Sequence, residues 1–196
     1  TNEYDAYAFF LKDKKINKVE CFNDIENIDF GPKVGILEAA VTSGGLSTMP
    51  WTYKEKLNIL ENKTLRYLGH WEWMRAYREL GLHSEKNINY NNAKINLRDF
   101  YHFLLEPKLN TGDRDDICIM RVEAVGVKDG KRKKIIIDCI ETYDSKTDLM
   151  AMEKGTGWHA SIMMQHIMDK RINHGTFPIE KALPGKAFYK AALKRN

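Results

Sequence analysis

Two short stretches of this chain carry the side chains best suited to holding an amino acid. Residues 42–48 (TSGGLST) surround two glycines with hydroxyl groups, directly after an apolar run that is typical of a strand. Residues 64–70 (TLRYLGH) supply Arg66, which is always charged, and His70, which titrates near neutral pH. Main-chain amides, hydroxyl groups and a guanidinium are donors that bind carboxylates. We therefore expect a carboxylate-binding site here, although no complete set of catalytic residues accompanies it.

The first stretch combines backbone freedom with hydrogen-bonding side chains. Glycine allows positive φ and a close approach of the backbone to a ligand, and successive amides can then surround an anion. The alternative is an ordinary strand-ending turn, in which the hydroxyl groups bond to the local backbone. The candidate residues are Ser43, Gly44, Gly45, Ser47 and Thr48.

Arg66 and His70 form the second candidate group. An arginine binds a carboxylate through two parallel hydrogen bonds, so it suits substrate anchoring better than proton transfer. His70 would lie near the amine or carboxylate of a substrate, or it would only cap the turn before a predicted helix. Each residue alone is more often structural, but their position just behind the glycine-rich stretch favours a role in binding.

The dipeptide Trp158–His159 is a third candidate. It follows Gly157 at the start of a predicted helix, and helix N-termini favour anionic ligands. Trp158 would then form the wall of a pocket that His159 faces. The alternative is that Trp158 packs in the core and His159 satisfies a buried hydrogen bond.

Other classes of site are disfavoured by the absence of their motifs. His102, His166 and His174 have no acidic partners at ligand spacing, so we expect no metal site. Neither GxGxxG nor GxxxxGK[ST] occurs, so the chain carries no recognisable nucleotide-binding turn. No apolar run approaches the roughly 18 residues that a membrane-spanning helix needs, and we expect no membrane partner.

Charge and cysteine content disfavour a nucleic-acid partner and favour a cytoplasmic protein. The net charge is only +4, and the densest basic run, residues 131–134, lies beside a predicted turn. This favours a solvated hairpin end over a nucleic-acid surface. Cys21, Cys118 and Cys139 show no CxxC spacing, and the last two lie in apolar runs, which is typical of reduced cysteines in a cytoplasmic protein.

Apolar periodicity and turn residues predict the elements that position these candidates. The predicted strands are residues 7–11 and 16–22 as one hairpin, 34–42, 63–67, and 117–127 with 134–143 as a second hairpin around Asp129–Gly130. The predicted helices are residues 70–80, 97–105, 157–170 and 186–194, and residues 87–96 are predicted as a loop.

The helix ends and one helix face are also predicted. Asn96 and Thr156 are the expected N-caps, Gly81 suits the C′ position, and Pro107 is expected to end its helix. The apolar face of the helix over residues 70–80 is predicted to contain Trp73, Met74, Tyr77 and Leu80. The order of elements predicts one domain over residues 1–196, an α+β fold with a mixed, largely antiparallel sheet and helices packed on one face.

The chain resembles the substrate-binding and dimerisation domain of the saccharopine dehydrogenase family, which includes saccharopine reductases and lysine 6-dehydrogenases. The resemblance covers nearly the whole chain in the same order. It is carried by residues 42–50 (TSGGLSTMP), 63–70 (KTLRYLGH), 74–82 (MRAYRELGL), 155–160 (GTGWHA) and 182–185 (ALPG).

This resemblance implies a cytoplasmic oxidoreductase that acts on a C–N bond of an amino acid of the lysine or saccharopine type. An N-terminal Rossmann domain, absent from this chain, would bind NAD or NADP and supply the catalytic residues. The present domain would bind the amino acid through Arg66 and the 43–48 stretch, with His70 close by, and would form a homodimer. The chain begins at Thr1 rather than methionine, which favours a fragment that is inactive by itself. The alternative is a non-catalytic dimeric binding or regulatory module that retains the fold.

Overall fold

The computed structural model describes residues 2–195, and the chain divides into two compact units, Thr1–Thr111 and Gly112–Asn196. The single domain over residues 1–196 stays a prediction. Helices and antiparallel strands are both abundant, which confirms the α+β class. The described strands pair only in antiparallel fashion and form four small sheets rather than one. No helix within residues 2–195 is long and apolar enough to cross a membrane.

The first unit begins with a 3-10 turn, Asn2–Tyr4. Its strands are β1 (Tyr7–Lys12), β2 (Lys15–Glu20), β3 (Glu26–Asp29), β4 (Ile36–Ala40), β5 (Thr64–Tyr67), β6 (Asn87–Tyr90) and β7 (Ala93–Asn96). Its helices are α1 (Met49–Tyr53), α2 (His70–Glu79) and α3 (Leu97–Leu109). The sheets are β1–β2, β3–β4–β5 and β6–β7, so the first predicted hairpin is confirmed and β3 was not predicted.

The core of this unit is built around Trp71, which is completely buried. Tyr4, Cys21, Phe22 and Ala40 pack around it. Its indole N–H donates to the carbonyl oxygen of Glu38 at 3.1 Å, which ties α2 to β4.

The predicted apolar face of α2 is therefore wrong in part. Trp73 and Leu80 are 63% and 74% exposed, whereas Met74 packs against the core cluster. The inward face also carries arginines: the Arg78 guanidinium lies 4.5 Å above the Phe22 ring, and Arg75 donates to the Phe22 carbonyl oxygen. Because the long stems of arginines cover apolar surface, an apolar count underestimates their contribution to such a face.

The end of α2 agrees with the prediction. Gly81 has a φ of +90°, and its N–H donates to the carbonyl oxygen of Arg78. The N–H of Leu82 donates to the carbonyl oxygen of Tyr77. This pair of bonds is the Schellman motif, which requires the left-handed conformation that glycine adopts without strain.

Two predictions just after α2 are wrong. The expected loop over residues 87–96 is the β6–β7 hairpin, because Asn91 and Asn92 both adopt positive φ and form its two-residue turn. Asn96 does cap α3, since its side chain accepts from the N–H of Asp99 at 3.1 Å. The helix does not end at Pro107 but continues to Leu109, because a proline in the last turn removes only one helical hydrogen bond.

The second unit is a long hairpin followed by helices. Its elements are β8 (Ile117–Lys128), β9 (Lys131–Thr142), α4 (Ala151–Met168), α5 (Ile179–Ala182) and α6 (Gly185–Ala192). The Asp129–Gly130 turn joins β8 to β9 as predicted, with positive φ at both residues. Cys118 and Cys139 are half-buried free thiols, and burial raises the pKa of each.

The start of α4 corrects the prediction that Thr156 caps this helix. Helix α4 begins at Ala151, so Thr156 lies inside it. The cap comes from Asp116, just before β8, whose two carboxylate oxygens accept from the N–H groups of Ala151 and Met152 at 2.6 and 2.9 Å. The Glu153 carboxylate also accepts from the N–H of Met150 at 2.8 Å, but the contribution of Asp116, 35 residues before Ala151, leaves no local signal in the sequence.

We predict that Asp116→Ala lowers the free energy of unfolding by about 0.5–2 kcal/mol, because two N–H groups of α4 lose their acceptor. Asp115→Ala, which removes a neighbouring carboxylate that accepts no hydrogen bond from α4, serves as the control. Chemical denaturation, monitored by circular dichroism, measures the free energy of unfolding of both variants. Equal losses in the two variants would contradict the capping role.

The first unit also contains a buried histidine whose ring nitrogens have no hydrogen-bond partner within residues 2–195. The His83 side chain is 1% exposed, and neither ring nitrogen has a partner among residues 2–195. Its ring lies 5.4 Å from that of Tyr101. Burial lowers the pKa of His83 below its ordinary value, an effect that Asp5 opposes and Arg98 reinforces. The unfolded chain therefore binds this proton at higher pH than the folded chain, so stability falls as the pH drops below about 6.5.

We predict that His83→Phe raises the free energy of unfolding by about 1–3 kcal/mol at neutral pH, because it removes two unpaired buried nitrogens and keeps the ring contact. The same variant is expected to flatten the loss of stability between about pH 7 and pH 5. Denaturation at both pH values measures both effects, with the exposed His174→Phe as the control. A pH dependence as steep as that of the wild type would argue against His83 as its source.

Candidate carboxylate-binding site

A tyrosine hydroxyl joins the arginine and the histidine of the second candidate stretch. Arg66 lies on β5, and its Nε–H donates to the Tyr4 hydroxyl oxygen at 3.2 Å. His70 is the first residue of α2, and its Nε2 lies 3.1 Å from the same oxygen. Tyr4, Arg66 and His70 thus form one hydrogen-bonded group, which we call the bridged cluster.

The turn between β5 and α2 positions the two charged side chains. Gly69 has a φ of +86°, so the chain passes from strand to helix within two residues of β5. The N–H of Gly69 donates to the Glu38 carboxylate at 3.0 Å. Glu38 lies directly opposite Arg66 in the β4–β5 register, but its carboxylate is engaged by this turn.

The guanidinium of Arg66 is half-buried and has no anionic partner. Its Nη1 donates to the carbonyl oxygen of Leu65, and its Cζ lies 5.9 Å from the Trp71 ring centroid. Among residues 2–195, no carboxylate forms an ion pair with Arg66, and no acceptor is bonded to its Nη2. The group can therefore accept a carboxylate from outside these residues.

The imidazole of His70 is held in its neutral form. Burial lowers the pKa of His70, and the nearby Arg66 guanidinium lowers it further, while Glu38 acts in the opposite direction. The ring packs edge-on against Trp71 and Tyr4, with centroids 4.9 and 5.8 Å apart. At neutral pH the bridged cluster therefore carries a single positive charge, on Arg66.

The glycine-rich loop, residues 42–48, is anchored next to the bridged cluster. The hydroxyl groups of Thr42 and Thr64 lie 2.6 Å apart, and Thr64 is two residues before Arg66 on β5. The N–H of Ser43 donates at 2.9 Å to the carbonyl oxygen of Glu3, the residue before Tyr4. The structure thus attaches the start of this loop to both segments that carry the cluster.

Within the loop, the backbone donors remain available. Gly44 and Ser47 adopt positive φ, at +83° and +48°. Among residues 2–195, no acceptor is bonded to the four amides from Gly44 to Ser47 or to the Ser43 and Ser47 hydroxyl groups. Gly45 is also packed closely, because a Cβ there would lie 2.1 Å from Oδ1 of Asn62. Thr48 is exposed and directly precedes α1.

Trp158 and His159 are placed differently from the prediction. Both lie inside α4 rather than at a helix N-terminus, so the helix-terminus argument for an anion there is wrong. The half-buried Trp158 ring lies 5.7 Å from the ammonium of Lys154, and the exposed His159 contacts Phe188 at a tilt, with ring centroids 5.3 Å apart. Both of these contacts lie within the second unit.

Sequence reasoning missed Tyr4, the residue that joins the cluster. It lies 62 residues before Arg66 and next to a predicted hairpin, where an aromatic residue suggests nothing more than core packing. No local spacing could have revealed it, because its partners are brought together only by the packing around Trp71.

We predict that Arg66→Met raises the pKa of His70, because the guanidinium is the main charge that disfavours the imidazolium. Arg75→Met, which removes another backbone-bonded arginine of the same unit, is expected to leave the pKa of His70 unchanged. NMR titration of the imidazole signals measures the pKa of His70 in the wild type and in both variants. A His70 pKa that falls or stays constant in Arg66→Met would contradict the coupling.

The model of the saccharopine dehydrogenase C-terminal domain matches residues 1–195, which include the bridged cluster, the glycine-rich loop and Trp158–His159. The resemblance carried by residues 42–50 and 63–70 is thereby confirmed. The chain belongs to the saccharopine dehydrogenase C-terminal domain family.

Proposed function

We propose that this chain holds the carboxylate of an amino-acid substrate for an NAD(P)-dependent oxidoreductase that acts on a C–N bond, of the lysine or saccharopine type. The observation that carries this proposal is the half-buried Arg66 guanidinium, which has no anionic partner in the described part of the chain, residues 2–195. The family to which the chain belongs is associated with oxidoreductases, which supports the reaction class.

An unpaired, partly desolvated cation is costly for the folded protein unless a ligand compensates it. In Arg66, Nε and Nη1 already donate to Tyr4 and Leu65, so the guanidinium is held in one orientation before any ligand arrives. The remaining Nη2 donors are then available to an incoming carboxylate. Such preorganisation reduces the entropy that binding costs and fixes the position of the carbon to be oxidised.

The glycine-rich loop supplies a second set of donors. Its free amides from Gly44 to Ser47, together with the hydroxyl groups of Ser43 and Ser47, offer hydrogen bonds to a carboxylate or to another polar group of the substrate. Its attachment to Glu3 and Thr64 keeps these donors on the segments that carry the bridged cluster.

Residues 2–195 lack the strand arrangement of a Rossmann-type dinucleotide-binding crossover. A dinucleotide-binding crossover needs two parallel strands and a helix, whereas every strand pair among residues 2–195 is antiparallel. We therefore assign NAD or NADP to a separate Rossmann domain and assign to this chain the binding and orientation of the amino acid. We also propose that this chain alone does not catalyse the reaction.

We also propose a cytoplasmic homodimer. The β8–β9 hairpin supports the dimer, because one of its faces is apolar and largely exposed. Met120, Val122, Ile135 and Ile137 lie on this face.

We predict that Arg66→Met weakens the binding of lysine and of 6-aminohexanoate by about 10- to 150-fold, the loss of one charged hydrogen-bonded contact. The diamine 1,5-diaminopentane lacks a carboxylate, so its binding is expected to change little. NMR titration of the chain with each ligand measures these affinities, and Arg75→Met is the matched control. Unchanged affinity for 6-aminohexanoate in Arg66→Met would overturn the carboxylate assignment.

A further inference from the structure

The Tyr4 hydroxyl has two contacts and only one hydrogen, and this determines the direction of its hydrogen bonds. The Nε of Arg66 always carries a proton, so the Tyr4 oxygen is the acceptor in that bond. The other contact of the hydroxyl is His70 Nε2, at 3.1 Å. Tyr4 is 8% exposed and has no third hydrogen-bond partner among residues 2–195.

Two arrangements of protons are then conceivable. If His70 Nε2 carried a proton, it would donate to the Tyr4 oxygen, and the Tyr4 hydrogen would be left in the protein interior without an acceptor. A buried unsatisfied donor costs about 1–3 kcal/mol. If Nε2 is unprotonated, the Tyr4 hydroxyl donates to it, and every polar hydrogen between the three side chains is satisfied.

We propose that Tyr4 is a positioning residue that holds His70 as the neutral tautomer protonated on Nδ1, so that the bridged cluster offers only donors to its ligand. Under this arrangement the cluster recognises a carboxylate and offers no acceptor to a substrate ammonium. The recognition step rests on the function proposed above, whereas the tautomer is a property of the chain alone.

The charges that face His70 agree with the neutral form. Arg66 on β5 disfavours an imidazolium, and Glu38 on β4 favours one, but the Glu38 carboxylate is engaged by the N–H of Gly69. The other side chains packed against the ring are Trp71 and Tyr4. No acceptor among residues 2–195 is bonded to Nδ1 or to Nη2 of Arg66, so the hydrogens of both groups are available to a ligand.

The test is Tyr4→Phe, which retains the ring packed against Phe22 and Trp71 and removes only the hydroxyl. We expect the ¹⁵N NMR spectrum of the wild type above the His70 titration to show an unprotonated Nε2 and a protonated Nδ1. In Tyr4→Phe the signals are expected to shift towards the Nε2-protonated form, and the exposed Tyr7→Phe is the control. A protonated Nε2 in the wild type, or the same tautomer in Tyr4→Phe, would overturn the proposal.

Ligand titrations separate this inference from the proposed function. Tyr4→Phe is expected to weaken 6-aminohexanoate binding roughly 2- to 10-fold, the value of one ordinary hydrogen bond, and to leave 1,5-diaminopentane unaffected. If the tautomer changes as expected but the wild type binds no carboxylate, the proposed function fails and the role of Tyr4 stands. If carboxylates bind through Arg66 and the tautomer does not change, the proposed function stands and the role of Tyr4 is overturned. Should Tyr4→Phe not fold, the protonation of Nε2 in the wild type decides the proposal by itself.

Discussion

The burial of the Trp71 indole is the interaction on which the rest of the candidate site depends. Its N–H donates to the Glu38 carbonyl oxygen, so α2 is fixed against β4 at the level of the strand pair that carries Arg66. The Tyr4 and His70 rings both pack edge-on against the indole. A single fully buried side chain therefore determines the distances within the bridged cluster. Its edge-on contacts with the neighbouring rings also restrict their relative orientation, in addition to burying apolar area.

The hydrogen bonding of Glu38 also affects the electrostatics of the candidate site. The residue faces Arg66 across the β4–β5 pair, where an ion pair would neutralise the guanidinium. Its carboxylate instead accepts the Gly69 N–H, which stabilises the left-handed turn at the start of α2. The contact that shapes the backbone thus engages the carboxylate that stands opposite Arg66. One carboxylate therefore shapes this turn and, by its engagement there, leaves the donors of the Arg66 guanidinium unpaired with an anion among residues 2–195.

In the second unit, polar contacts with distant segments also position a helix. Asp116 holds the start of α4 beside the base of the β8–β9 hairpin, and the buried Lys154 ammonium donates to Glu141 on β9 at 2.8 Å. The distant Asp116 carboxylate, together with the local bond from the N–H of Met150 to the Glu153 carboxylate, determines where α4 begins. For this reason Thr156 and Gly157, which resemble a helix start when read locally, lie inside the helix.

Local patterns predicted those elements whose determinants are themselves local. The Asp129–Gly130 turn, the C′ position of Gly81 and the capping of α3 by Asn96 all involve residues within a few positions of one another. Residues 87–96 form a hairpin instead of the predicted loop, because paired asparagines, which form its tight turn, are also common in loops. The inward face of α2 was misjudged because arginine stems serve there as apolar surface.

The sequence by itself determined the family, the α+β class and the two stretches that contain Arg66, His70 and the glycine-rich loop, since these depend on residue types at short spacing. Only the tertiary structure decided that Tyr4 joins Arg66 to His70 and that the start of the loop is attached to the same segments. The physical reason is that a hydrogen bond between residues more than 60 positions apart requires the chain to be folded first. Packing around Trp71 supplies that folded geometry, and no periodicity or motif in the chain encodes it directly.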